Sequence, residues 1–261
     1  MSSLGSDDRA GFAVAADAYD RFMGRYSKPL APIFADFSEV SPGLTALDVG
    51  CGSGVLTGEL VDRLGEIRVG AVDPSASFVE AVRDRFPDVE VHRADAADLP
   101  YGDGIFDRTL AQLVVHFMPD PVSGLAEMRR VTKPGGIVAA CVWDHAGGLG
   151  PLSIFWQAAR ELDPSVDDES GRPGTSEGQL ESLMGSAGLD DVTGTALDIR
   201  VVHPTFDEWW DPYLLGVGPA GRFVAELSPE ARDSLRERCR ALLSDAPFEI
   251  VARAWAASGI A

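Results

Sequence analysis

Thr45-Ala46-Leu47-Asp48-Val49-Gly50-Cys51-Gly52-Ser53-Gly54 opens as an apolar, alternating run and breaks into three glycines spaced two apart. Helix formers follow at once, from Val55 to Leu64. Strand, glycine turn and helix make the opening unit of a doubly wound α/β fold, in which ligands sit at the carboxyl edge of the sheet. Glycines there let the main chain turn tightly and come close to a ligand that a Cβ would hold away.

A dinucleotide fingerprint reads G-x-G-x-x-G, because a pyrophosphate must rest on the helix N-terminus. Here the spacing is G-x-G-x-G, and a carboxylate, Asp48, stands two residues before the first glycine. A carboxylate repels a diphosphate but suits an ammonium group. The loop therefore fits a nucleoside with a cationic amino-acid tail, a description that S-adenosylmethionine meets. Leu47 to Gly54 resembles motif I of the class I methyltransferases. A glycine-rich turn without a ligand is the alternative at this point.

The 261 residues, 45% of them hydrophobic, suffice for one large α/β domain with a substantial core. A net charge of −19 would repel a phosphate backbone, and no basic run offsets it, so a nucleic-acid partner is disfavoured. Cys51, Cys141 and Cys239 are odd in number and far apart, as suits a reducing cytosol. The histidines at 92, 116, 145 and 203 show no metal-ligand spacing, so no metal is expected. No apolar run approaches a membrane span, and the polar start Met1 to Asp8 is unlike a signal peptide. A cytoplasmic protein without a membrane partner is expected.

Further along, Arg68 to Asp73 reads as a second strand ending in an acid. Asp73 lies 19 residues beyond Gly54, near the interval of about 20 expected for a carboxylate gripping ribose hydroxyls. A helix-capping Asp ahead of Pro74 and Ser75 is the competing reading. Pro74 and Phe78 would lie along the adenine. Ala94 to Pro100 resembles the family's next motif, which implies Asp95 for the adenine amine and the Ala96 N–H for the ring. By the same resemblance Ala111 and Gln112 end the fourth strand, Gly104–Gln112, against the cofactor. Gly50, Cys51, Gly52 and Gly54 would form the loop around it. Arg130 to Gly136 matches a further signature before the fifth strand.

The resemblance implies a Rossmann-like, doubly wound sheet of seven strands, mostly parallel with an antiparallel last hairpin. It covers about residues 10–145 and is strongest toward the ubiquinone and menaquinone C-methylases and antibiotic-tailoring enzymes. A single domain over 1–261 is expected, with a helical lid at 10–37, a cofactor-binding core at 43–145 and a helical cap inserted at 204–246. Pro29 and Pro32 are expected to divide the lid. Within it, the resemblance puts Tyr19 and Tyr26 at the cofactor or the acceptor, and Arg25 at the methionine carboxylate. The acidic stretch 163–178, rich in Gly, Pro and Ser, reads as a surface loop. Trp209 and Trp210 either line an acceptor pocket or seal the insertion to the core.

Methyl transfer from a sulfonium is an in-line displacement that chiefly needs alignment and exclusion of water. A hydroxyl acceptor also gains from a base, and His116 and His145 are the histidines at strand exits, hence the catalytic candidates. The Asn/Asp-Pro-Pro-aromatic tetrapeptide of nucleic-acid amine methylases is absent, as is an evident acidic triad for Mg²⁺. The expected activity is S-adenosylmethionine-dependent methylation of a small, partly apolar molecule. Its rivals are a non-catalytic cofactor-binding sensor or partner protein and, disfavoured by Asp48 and the glycine spacing, a nucleotide-dependent oxidoreductase. The acceptor, the methylated atom and the oligomeric state cannot be read from the residues.

Overall fold

The computed structural model describes residues 20–261. Tyr19 and the rest of the N-terminal leader lie outside them. A π-helical turn, Asp20–Gly24, leads into α1, Arg25–Phe37. Then follow β1 (Ala46–Val49), α2 (Val55–Leu64), β2 (Val69–Asp73), α3 (Ala76–Arg85), β3 (Glu90–Arg93), β4 (Phe106–Gln112), α4 (Pro121–Val131) and β5 (Thr132–Trp143). The second half adds α5 (Ser153–Leu162), α6 (Gln179–Ser186) and β6 (Asp190–His203), then α7 (Phe206–Trp210), α8 (Gly218–Glu226), α9 (Pro229–Leu242) and β7 (Phe248–Ile260). Among the described residues no helix is long and apolar enough to cross a membrane.

The seven strands run in the order β3-β2-β1-β4-β5-β7-β6. The first five are parallel, and β7 runs antiparallel to both of its neighbours. From β1 the chain builds outward to β3 on one side, then crosses back to place β4 on the other. That reversal opens a crevice beyond the carboxyl ends of β1 and β4, where doubly wound sheets bind ligands.

Helices cover both faces, so β1 and β2 are buried along their whole length rather than at alternate residues. Along β5, Ala139, Cys141 and Trp143 join one core cluster, whereas Val138, Ala140 and Val142 join the other. The two-residue pleat sends successive side chains to opposite faces. One face carries α1, α2, α5 and the segment between β6 and β7; the other carries α4 and α6.

Pro29 and Pro32 do not divide the N-terminal helix, as was expected, but lie inside α1. Each removes one helical hydrogen bond, a local cost of about 3 kcal/mol. The full burial of Tyr26, Leu30, Ala31, Phe34 and Ala35 on one stripe offsets it. The stretch 163–178 also departs from expectation. It carries a short turn, Glu169–Gly171, and folds inward, leaving Glu169 and Thr175 buried. Its polar composition concealed this, because the buried groups are a carboxylate and a hydroxyl bonded internally, the latter to the Ser170 and Arg172 carbonyls.

Between β6 and β7 lie helices α7 to α9. The aromatics of this segment seal inward: Trp209, Trp210 and Tyr213 are each about 1% exposed. Tyr213 stacks on Phe155 at 4.6 Å between ring centroids and meets Phe22 edge-on at 4.9 Å. The segment is thereby joined to both α5 and the N-terminal residues. A polar thread runs through the same seam. His203 Nδ1 lies 2.7 Å from Glu208 Oε2, and His203 Nε2 lies 3.1 Å from the Tyr26 hydroxyl. With Nδ1–H donating to the carboxylate, Nε2 is left to accept from Tyr26.

Tyr26→Phe leaves that buried ring nitrogen without a donor. It should lower the unfolding free energy by about 1–3 kcal/mol, measured as an earlier midpoint in urea denaturation. An unchanged midpoint would show that the thread contributes nothing.

Candidate functional site

Gly50 and Cys51 leave β1 by donating their N–H groups to one carbonyl, that of Val72 in β2, at 2.8 and 2.9 Å. This pair of hydrogen bonds holds the start of the loop against the end of β2. Gly50 has φ +74°, and a Cβ there would lie 2.5 Å from Val114 Cγ1, so no side chain fits. Gly52 also has a positive φ, +51°, but a Cβ there would meet no protein atom within 4 Å. Glycine is thus favoured at the two positions for different reasons: at 50 by packing as well as by φ, at 52 by φ alone, with open space beyond it.

Asp73 closes the loop from the end of β2. Its Oδ2 accepts from the Gly52 N–H at 2.9 Å, and its Oδ1 accepts from the Ser75 N–H at 2.8 Å. The Oδ1 bond closes the turn that leads into α3, and each carboxylate oxygen has a further lone pair. Burial raises its carboxyl to about 6, against the pull of the two N–H donors.

Asp48 occupies a different place from the one expected beside an ammonium group. It is 1% exposed and lies beneath the loop, accepting from the Thr57 hydroxyl in the first turn of α2 at 2.6 Å. Burial lifts its carboxyl from 3.8 to about 7; the Thr57 hydrogen bond opposes this and the nearby charge of Asp73 adds to it. Cys51 is buried next to both acids, with its thiol held well above its ordinary value mainly by burial. Gly54 begins α2, where a Cβ would lie 3.0 Å from Val82 of α3. Its absence lets the two helices approach.

Around the crevice, Pro74 is exposed and Phe78 buried at the start of α3. Asp95 and Ala96 are half-buried after β3, and the Asp95 carboxylate accepts from the Ala97 N–H. The Ala94 N–H donates to the Asp73 carbonyl at 3.2 Å, which ties this loop to the end of β2. Ala111 and Gln112 end β4. Gln112 donates from Nε2 to the Ser27 carbonyl of α1 at 3.3 Å, while its buried Oε1 has no partner among the described residues. The next residue, Leu113, has φ +63°, a left-handed conformation that costs a bulky residue about 1–2 kcal/mol. Such strain concentrates where function requires a chain direction, and here it turns the chain from β4 toward His116.

Arg25, expected at the methionine carboxylate, is engaged elsewhere. Its guanidinium pairs with Glu208 Oε1 at 3.0 Å and donates to the carbonyls of Arg21 and Glu208. His116 and His145, however, do come together. They leave the neighbouring strands β4 and β5, their rings 5.9 Å apart between centroids. Burial pushes both imidazoles below their ordinary value. For His116, the neighbouring His145 and Arg172 add to the effect; for His145, Arg172 adds to it, while Glu169 and Asp144 oppose it.

Glu169 was not foreseen. It sits 24 residues beyond His145 in an acidic stretch, and only the infolding of that loop brings it to the histidine pair. An open depression lined by Pro151, Ile154, Leu243, Phe248 and Ile250 lies elsewhere and includes none of these site residues.

Residues 47–140 match the methyltransferase-domain family. The demethylmenaquinone methyltransferase of Lysinibacillus sphaericus is 35% identical over 173 residues, which cover 59% of this chain and 73% of that protein. The enzyme of the same name from Renibacterium salmoninarum is 34% identical over 130 residues, 49% of this chain and 54% of its own. The chain thus spans about half the length of several curated relatives it matches. A methyltransferase solved together with a Haloferax volcanii methyltransferase activator superposes with a TM-score of 0.59 at 21% identity, covering 99% of each chain, and shares the fold. The family match spans the glycine loop, Asp73, and the ends of β3 and β4, and the Lysinibacillus relative extends it over most of that protein's length. This chain belongs to the class I S-adenosylmethionine-dependent methyltransferases.

Proposed function

We propose that this protein transfers a methyl group from S-adenosylmethionine to a small, partly apolar acceptor. The observation that carries the reading is the open space at Gly52, bounded by a carboxylate with free lone pairs and lying at the switch point of the sheet. Three features support the fit to the cofactor: glycines at alternate loop positions, the Asp73 carboxylate as an acceptor for hydroxyls, and the buried Gln112 Oε1, unpartnered among the described residues, as a further acceptor. When bound, the cofactor supplies an electrophilic methyl on a good leaving group. Asp73 would hold its ribose, with Phe78, Asp95 and Ala96 about its base. Asp48 acts through the loop, by fixing Thr57 and so the start of α2.

His116 and His145 face the acceptor in this reading, as side chains suited to taking a proton from it. Demethylmenaquinone, the substrate named by the two relatives, is of the apolar ring class that such an acceptor would share. The N-terminal segment and the inserted helices close the acceptor side, α1 touching the end of β4 through Ser27 and Gln112. Water exclusion of this kind supports in-line displacement.

The direct test is calorimetry with S-adenosylmethionine, S-adenosylhomocysteine and NAD, followed by transfer of a labelled methyl group to a panel of quinols and phenols. Binding of NAD in place of the adenosyl ligands would overturn the proposal. Asp73→Ala should weaken S-adenosylhomocysteine binding by about 1–3 kcal/mol. Gly50→Ala and Gly52→Ala separate packing from ligand space. The first should mainly lower thermal stability, the second mainly ligand affinity. Equal effects of both on affinity would remove the distinction drawn between them.

Asp48 makes a pH prediction. Its folded pKa, about 7, exceeds the unfolded value of 3.8, so the folded state holds a proton that the unfolded chain releases. The stabilisation is therefore fully present below pH 4 and lost as the pH rises through 7, at a rate approaching 1.4 kcal/mol per unit. Relative to wild type, Asp48→Asn should gain stability steadily from pH 4 to 7 in denaturant titrations. A difference independent of pH would show that Asp48 is ionised throughout.

A further inference from the structure

His116, His145 and Glu169 each present one ligand atom, and the three atoms lie within 4.8 Å of one another. They come from three separate segments: the turn after β4, the exit of β5, and the infolded loop before α6. His116 and Glu169 are 5% and 4% exposed. His116 Nδ1 is buried and has no hydrogen-bond partner among the described residues, an omission that costs a folded protein unless something fills it.

We propose that these three side chains form a binding site for a divalent transition metal of the zinc class. Two imidazoles and one carboxylate are a three-ligand set that leaves a fourth position open. Nitrogen donors favour zinc, cobalt or iron over magnesium, which prefers oxygen alone. Tetrahedral coordination with bonds of about 2.0–2.1 Å sets ligand atoms about 3.3 Å apart. The observed spacing thus requires an inward shift of about 1.5 Å at most, within the reach of side-chain rotation. Trp156 supplies an outer contact, its Nε1–H donating to Glu169 Oε2 at 3.3 Å and orienting the carboxylate.

Charge sets the strength of the site. The Asp144 carboxylate stands near His145 and favours a cation, whereas the Arg172 guanidinium, 4.9 Å from the Phe117 ring, acts on both histidines and opposes one. The proposal rests on the reading of the acceptor side and deepens it: with an ion present, the two imidazoles would serve as ligands rather than as bases, and the fourth position would be open to an acceptor oxygen.

The test uses the full chain without a histidine tag, stripped with chelator and free of cofactor. Zn²⁺ alone is titrated by calorimetry, and Co²⁺ alone by its visible ligand-field bands. One ion per chain is expected, with tetrahedral-type cobalt bands. His145→Ala and Glu169→Gln should each weaken Zn²⁺ at least about 10-fold, and Trp156→Phe by up to about 10-fold. Arg172→Gln should tighten it. S-adenosylhomocysteine binding by each variant reports that the fold is intact and tests the cofactor site separately. Wild-type protein that binds S-adenosylhomocysteine but no stoichiometric metal would overturn this site alone. So would His145→Ala and Glu169→Gln variants that bind Zn²⁺ as tightly as wild type.

Discussion

The carbonyl of Val72 and the carboxylate of Asp73 hold the glycine loop in place. Four backbone N–H groups, those of Gly50, Cys51, Gly52 and Ser75, converge on these two adjacent residues at 2.8 to 2.9 Å. Through them the end of β1 is fastened to the end of β2, and α2 and α3 start in fixed positions. A loop built this way has its own polar groups satisfied by the scaffold and can present bare backbone to a ligand. Asp48 braces the same loop from beneath, at the energetic cost of a carboxyl kept in an apolar setting.

The second half of the chain serves the first by closure. Without the segment between β6 and β7, the edge formed by α1 and α5 would expose Phe22, Tyr26 and Phe155. Tyr213 packs on Phe22 and Phe155, with Trp209 and Trp210 against Tyr213 in turn, and the thread from Tyr26 through His203 to Glu208 gives the covering a fixed register. Arg25 belongs to this seam. Its ion pair with Glu208 links the N-terminal helix to the inserted one rather than to the cofactor crevice.

Across the crevice the chemistry depends on strand exits. The left-handed Leu113 turns the chain after β4, and the Leu113 N–H donates to the Cys141 carbonyl of β5 at 2.8 Å. That bond locks the two exits together and brings His116 toward His145. Backbone strain at one residue is thus tied to the placement of two side chains.

Much of this was determined by the sequence itself. Glycine spacing, the apolar runs of β1, β2 and β5, and the acid at the end of β2 are local patterns, and each imposes its structure within a few residues. The mostly parallel sheet with its reversed last hairpin was implied by the resemblance those patterns carry, and the strand order bears it out. Tertiary structure decided what local pattern cannot encode. Pro29 and Pro32 stay helical because a buried stripe outweighs two lost hydrogen bonds. Asp48 faces Thr57, and Arg25 faces Glu208, because side-chain partners are chosen across packed elements. Glu169 reaches the histidine pair for the same reason. Residues far apart along the chain carry no mutual signal until burial forces their polar atoms to share one enclosed space.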